Sequence, residues 1–300
     1  SNVILDEAAY IPADCWEMVI RPALADQRGS AIFISTPAGF NHFHEWYEQA
    51  EHEPGWQTFS YNTIEGGNVP PEEVELARRT LDERTFRQEF EASFQSFSGL
   101  VFPEFSDENI DDTVKDMGGP ILVGLDFNVG IMAGVLCSKV GDTLHIWDEI
   151  AVKNSNTDEV CLMLRERFPD REIVAYPDPT GKARKTSAAG ATDHGIIRKY
   201  GIKVVAPNAP WAIKDRLNAT NWLIKNAVGE VRMFVHPRAK NTIKGFRSVT
   251  YKEGADDFIV DKAPGLEHWI DGCGYLILSA MNQVKPWKVG RAKSKVGQVW

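Results

Sequence analysis

Three aspartates stand where apolar runs stop. Asp126 closes the apolar part of residues 121–128, I-L-V-G-L-D-F-N, and Asp178 follows residues 173–177, I-V-A-Y-P. Asp271 lies within residues 266–278, whose apolar spacing suits a helix. Short apolar runs bounded by Gly and Pro read as buried strands. An unpaired anion is costly to bury, so each acid calls for a cleft, a cation or a hydrogen-bond partner. Three acids delivered by two strand ends and a helix could hold two divalent cations, the arrangement that drives in-line phosphodiester hydrolysis. Taken singly, each reads as a strand-end cap or a surface charge. The three together, in this order of elements, read as a site.

The elements that must position them follow from the same periodicities. Strands are expected over 121–127, 131–138 and 144–151, with Gly141-Asp142 as a hairpin turn, then a helix over 157–168 and a strand over 173–176. Three antiparallel strands, a helix, and a strand that sets its acid beside the first is the ribonuclease H-like order. The loop 181–191 carries Lys182, Arg184 and Lys185, placed to grip a DNA backbone or simply to be solvated. Helices are then expected over 190–200, 212–226 and 238–248, and strands over 202–205 and 231–235. His268 sits one turn before Asp271 on the same helix face, as a partner of the acid or as a packing residue. Asp256, Asp257 and Asp261 read as surface acids, and the tail 285–300 has five basic and no acidic residues.

Toward the N-terminus, S-N-V-I-L-D-E-A-A has the pattern of a Walker B strand, in which Asp6 would serve the magnesium shell and Glu7 the attacking water. A helix over 13–24 and a strand over 31–34 follow, ending in Ser35-Thr36-Pro37, whose hydroxyls could sense a nucleotide phosphate. No glycine-rich phosphate loop is present. Thr180-Gly181-Lys182 lacks the upstream glycine and has Ala183 where Ser or Thr is required. The chain therefore reads as the later part of a longer protein. A helix over 41–50, a short strand over 56–61, and two helices within 72–94 split at an Asp82 N-cap complete this half. Trp46 and Trp56 read as core aromatics, and Phe86, Phe90 and Phe94 as a core stripe.

The net charge of -9 conceals an asymmetry. Residues 1–118 hold 7 Lys and Arg against 23 Asp and Glu, a balance of -16, whereas residues 119–300 hold 26 against 19, or +7. A basic half that also holds the carboxylate triad points to a polyanion. The four cysteines are scattered, which indicates neither a zinc site nor a disulfide framework and suits a reducing cytosol. No run approaches the roughly 20 apolar residues that span a bilayer.

V-I-L-D-E-A, S-T-P, the stretch D-E-R-T-F-R-Q-E-F-E-A-S-F-Q-S-F-S-G-L-V-F-P-E-F, G-L-D-F-N, Y-P-D-P-T and E-H-W-I-D-G-C-G-Y occur in one order along the chain. Together they resemble the large terminase subunit of tailed double-stranded DNA bacteriophages, which joins a packaging ATPase to a ribonuclease H-like nuclease that cuts concatemeric genomes. The resemblance implies an α/β chain with a partial P-loop-type ATPase over 1–105, a linker over 106–119, a nuclease domain over 120–284 and a basic tail over 285–300. It implies Asp126, Asp178 and Asp271 as ligands of two Mg2+ or Mn2+ ions. It implies Asp6 and Glu7 as the Walker B pair and residues 35–37 as a coupling motif, with ATP bound only in the full-length protein. Double-stranded DNA, a portal protein and a small terminase subunit are the implied partners, in the cytoplasm of an infected bacterial host or a host carrying the prophage. A resolvase- or integrase-type nuclease and a non-catalytic motor or portal docking module are the alternatives.

Overall fold

The computed structural model describes residues 2–26, 28–39, 41–94, 99–127, 130–183, 192–252, 260–261 and 265–281. Arg184, Lys185, Asp256, Asp257 and the tail 285–300 lie outside the described residues.

Two sheets organise the described residues. In the first, β1 (Asn2–Asp6) pairs in parallel with β2 (Ser30–Ile34), Asp6 facing Ile34. The connection is helical as expected, but its first half, Cys15–Ile20, winds as a π-helix before α1 (Arg21–Ala25). Helix α2 (His42–His52) starts at Asn41, whose side chain accepts from the Phe43 N–H at 3.1 Å. The expected strand over 56–61 does not form. Trp56 instead stacks on Phe33 of β2 at 5.7 Å, and Phe59 and Tyr61 are exposed, so ring packing replaces a ladder. Next come α3 (Thr63–Gly66), α4 (Pro71–Thr80) and α5 (Glu83–Phe90). Asp82 caps α5, accepting from the Thr85 N–H at 3.2 Å. The aromatic stripe is shorter than its spacing suggests. The helix stops at Phe90, Ala92 turns to φ 51°, and Phe94 packs on α2 while Phe86 and Phe90 stack 5.2 Å apart.

The second sheet contains β3 (Ile121–Asp126), β4 (Ile131–Val140), β5 (Thr143–Lys153), β6 (Ile173–Pro177), β7 (Lys203–Val204) and β8 (Met233–Val235). Their spatial order is β7-β6-β3-β4-β5-β8. The β3–β4–β5 meander is antiparallel and turns through Gly141-Asp142, while β6 lies parallel to β3. This is the expected ribonuclease H-like arrangement, extended at one edge by β8, parallel to β5. Helices α6 (Thr157–Arg167) and α7 (Asp193–Lys199) pack one face of the sheet with Val123 and Leu125. On the other face lie α8 (Ile213–Ile224), α9 (Lys240–Ser248) and α10 (Glu267–Ala280).

Residues 101–114 are pinned to this second unit. Val101, Phe102 and Phe105 enter its core, and the buried Asn109 amide donates to the carbonyls of Ile224 (3.0 Å) and Met233 (3.1 Å). Helices α4 and α5 also rest on it. The Trp222 indole and the Asn226 amide both donate to the Arg79 carbonyl, at 2.8 and 3.0 Å, and the Ala227 N–H to that of Leu81 at 3.1 Å.

Candidate active site

Parallel pairing of β3 with β6 puts two acids side by side. Leu125 faces Pro177 in the register, so Asp126 and Asp178 leave neighbouring strand ends in the same direction, and the Asp178 N–H still donates to the Leu125 carbonyl at 3.1 Å. Asp178 then caps the 3-10 turn Pro179–Lys182, one carboxylate oxygen accepting from the Thr180 N–H at 2.8 Å. His194 braces this turn from α7: its Nε2 lies 2.8 Å from the Asp178 carbonyl. Gly181 leaves room for the brace, since a Cβ there would come within 2.5 Å of Phe127 and 3.0 Å of the His194 ring.

The third acid arrives because two backbones touch. A Cβ on Gly124 would fall 2.2 Å from the Gly272 carbonyl oxygen, and one on Gly272 would meet the Gly124 oxygen at 3.1 Å. With hydrogens at both positions, α10 lies directly on β3, and the Trp269 indole ties it to the Ile150 carbonyl at 2.9 Å. His268, Asp271 and Tyr275 share one helix face by their spacing of three and four residues.

Asp126 is 8% exposed, and its Oδ2 lies 2.7 Å from His268 Nδ1. The hydrogen bond to Asp126 raises the imidazole pKa above its ordinary value; burial opposes this, and the charges of Asp126, Glu267 and Asp271 add to the rise. Asp271 has a cation of its own, Arg216 of α8, whose Nη2 is 2.8 Å from Asp271 Oδ1. The Tyr275 hydroxyl is pushed up first by burial; Arg216 opposes the shift, while Asp271, Asp178 and Asp126 each reinforce it.

Carboxylate oxygens are the donors that Mg2+ and Mn2+ take. Among the described residues, however, no three His, Cys, Asp or Glu side chains are already gathered to hold an ion. His268 and Arg216 engage one oxygen each of Asp126 and Asp271. The donor chemistry fits a divalent cation, and two protein cations are held against the same carboxylates. Lys182 lies in the turn after Asp178, where its ammonium donates to the Asn208 carbonyl.

Arg216, Tyr275, His194 and Glu267 were not foreseen. Arg216 gave no signal of its own, since it stands beside Lys214 and Asp215 at the polar start of α8. Glu267 precedes His268, is buried, and has no hydrogen-bond partner for its Oε2 among the described residues.

At the other end of the chain, Asp6, Glu7, Ser35, Thr36 and Pro37 line one cavity of about 310 Å³, together with Tyr61, Thr63, Gln88 and Glu89. The Ser35 hydroxyl accepts from the Ala9 N–H at 3.2 Å, tying the end of β2 to the turn after Glu7. Glu7 has φ 55°, a left-handed conformation that costs a non-glycine residue about 1–3 kcal/mol.

No protein-family model matches the chain. The large terminase subunit of Escherichia phage T5 is 36% identical to it over 165 residues, 49% of this chain and 37% of that protein. That of Thermus phage G20c is 35% identical over 118 residues, 33% of this chain and 24% of that protein. The matches thus span well under half the length of these curated relatives. The large terminase of the thermophilic bacteriophage D6E superposes with a TM-score of 0.62 at 17% identity, covering 92% of this chain and 68% of that one. In complex with ATP-gamma-S the same protein gives a TM-score of 0.63. The chain is similar in sequence to phage large terminase subunits over these stretches, and it has the large terminase fold.

Proposed function

We propose that the six-stranded unit is a divalent-metal-dependent endonuclease that cuts double-stranded DNA, and that the two-stranded unit before it is the distal part of a DNA-packaging ATPase. The observation that supports the reading is that Asp126 and Asp178 leave adjacent parallel strand ends, while Asp271 belongs to a helix whose Gly272 is in backbone contact with Gly124 of β3. These three aspartates would hold Mg2+ or Mn2+, two ions in the fullest form of the site. The metal would supply an activated water and stabilisation of the leaving 3' oxygen.

The chain's own residues orient and balance charge. His268 fixes the rotamer of Asp126, Arg216 that of Asp271, and the capped turn with His194 behind it fixes Asp178. Lys182, Arg184 and Lys185 would hold the phosphate backbone beside the site. Replacing all three by Ala should flatten the salt dependence of DNA binding by about 0.9 logarithmic units per lost contact; an unchanged slope would leave the loop no such role. Asp6 and Glu7 would act as the Walker B pair on ATP, with residues 35–37 reporting nucleotide state. The setting is the cytoplasm of an infected bacterium, with a portal protein and a small terminase subunit as partners.

One observation favours a second reading, a docking module without catalysis. Arg216 and His268 already compensate two of the acids, as a structural polar network would. Plasmid cleavage with Mn2+ separates the two readings. The nuclease reading expects nicking and linearisation that Asp126→Asn reduces by orders of magnitude while the fold persists. Undiminished cleavage in that variant would overturn it.

A further inference from the structure

Arg216 is a charged residue in a helix that is otherwise buried nearly all round, and only 9% of it is exposed. An arginine is found in such a place when it is paired, because an uncompensated buried charge destabilises by several kcal/mol. The fold makes a slot for it. A Cβ on Gly274 would lie 2.4 Å from the Arg216 Cγ and 2.7 Å from its Cδ, so α10 accepts the arginine stem only because residue 274 lacks a side chain. The guanidinium lies over the Tyr275 ring, 4.7 Å from its centroid, and ends on Asp271 Oδ1 at 2.8 Å. Asp271 and, one turn later, Gly274 and Tyr275 of α10 thus receive one side chain of α8.

The charge balance gives this placement a consequence. On the metal-site reading three carboxylates serve one ion site, and the one on α10 is paired with a cation that stays charged at any working pH. A divalent ion taking Asp271 as a ligand must share that carboxylate with the guanidinium and bear its repulsion, in surroundings where burial leaves charges poorly screened. We propose that Arg216 is the resident counter-ion of the acid site: it positions Asp271 in the metal-free protein and weakens divalent-ion loading there. This rests on the metal-site reading of the three aspartates. It makes Arg216 a positioning residue whose removal should tighten metal binding, the opposite of what loss of a ligand does.

The test is Mn2+ binding by the full chain without DNA, read from the electron paramagnetic resonance of free Mn2+ and checked by calorimetry. Arg216→Gln keeps a stem and a donor for Asp271 but removes the charge, and it should lower the Mn2+ dissociation constant by about tenfold or more. Arg216→Lys, which keeps the charge, should stay near wild type. Thermal melts supply a second readout. Arg216→Gln should melt below wild type without metal and regain more than wild type when Mn2+ is added, whereas an arginine with a packing role alone would leave the Mn2+ increment unchanged. If Arg216→Gln does not fold without metal, folding rescued by Mn2+ supports the proposal, and failure to fold in either condition passes the measurement to Arg216→Met. Unchanged or weaker Mn2+ binding in a folded neutral variant overturns it. Asp126→Asn and Asp271→Asn separate the two levels of the argument: if neither weakens Mn2+ binding, the metal-site reading itself fails, and if they do while Arg216→Gln has no effect, only the counter-ion proposal falls.

Discussion

Strands β1 and β3 both run apolar residues up to a terminal aspartate, yet the molecule treats the two ends differently. β3 is the third strand of a six-stranded sheet, with helices on both faces and both neighbours paired, and its Asp126 is nearly buried and held by His268. Among the described residues β1 pairs with β2 alone, in a two-stranded sheet, and Ile4 (64% exposed), Ile32 (55%) and Ile34 (51%) face outward. Its Asp6 accepts from the next residue's own N–H at 3.1 Å and opens, with Glu7, onto a cavity. An acid at a strand end is therefore not a site by pattern alone. A parallel neighbour, β6, and a helix in backbone contact are what bring the other groups to Asp126. At Asp6 the companions in the cavity are hydroxyls, Gln88, Glu89 and a strained Glu7.

The comparison breaks most cleanly on activity. Asp126→Asn should abolish Mn2+-supported plasmid cleavage to within detection, and Glu7→Gln should leave it unchanged, because the three aspartates all lie beyond residue 119. The same chain should release phosphate from ATP only at background rates, since it lacks a backbone cradle and lysine for the β and γ phosphates. Cleavage lost in Glu7→Gln, or ATP turnover abolished by that change, would show that the two acid-ended strands are not separable.

Next in size is the contact that brings α10 onto β3. Gly124→Ala forces a carbon to within 2.2 Å of the Gly272 carbonyl oxygen, backbone against backbone, so no side chain can swing away. The expected loss is about 3 kcal/mol by denaturant unfolding, at the upper end of ordinary overpacking costs. Gly119→Ala, where nothing lies within 4 Å, should stay within about 0.5 kcal/mol. Equal effects at the two positions would mean that the sheet and helix can separate without penalty.

What the sequence disclosed divides along the same line. Strands β3 to β6 were legible because each is a bounded apolar run, Gly141-Asp142 fixes one turn, and the acids mark two of the ends. The edge strand β8 was legible as a strand, but its parallel place beside β5 depends on long-range packing that no local pattern carries. The segment 56–61 was misread because aromatic content resembles strand propensity, whereas Trp56 packs by its ring against Phe33 and makes no ladder. Within the site, His268 was visible by its spacing from Asp271, while Arg216 comes from another helix 55 residues earlier and meets Asp271 only in three dimensions.

Hydrogen exchange should sharpen the contrast at lower amplitude. Amides of Val123 and Leu125, in a strand paired on both sides and buried, should exchange only through global opening. Those of β1 and β2 should exchange faster by sub-global opening, because the cluster around Leu5, Ala8, Trp16 and Leu24 is small and flanked by exposed isoleucines. Equal protection in the two sheets would mean that the strand pair is stabilised as strongly as the six-stranded core.

The smallest expected effect lies where the two regions meet. Asp82 caps α5 and bridges to Asn226, and it is buried, with no hydrogen-bond partner for its Oδ2 among the described residues. Burial pushes its carboxyl pKa above the ordinary value, against the hydrogen bonds from Thr85 and the charge of Arg84. A carboxyl whose folded pKa is raised contributes stability that is fully present below its unfolded value, near 3.8, and is lost as pH rises through the folded one. Above that folded value, then, the junction holds an anion that the fold disfavours. Asp82→Asn keeps the acceptor for the Thr85 N–H and removes the charge, so it should be neutral or stabilising by about 1 kcal/mol at pH 7. At pH 3.5, where Asp82 is protonated in the fold, the difference should vanish or turn slightly against the variant. Urea melts of both proteins from pH 3.5 to 7 measure this directly, and parallel pH profiles would show that Asp82 stays ionised in the fold and that the junction carries no such penalty.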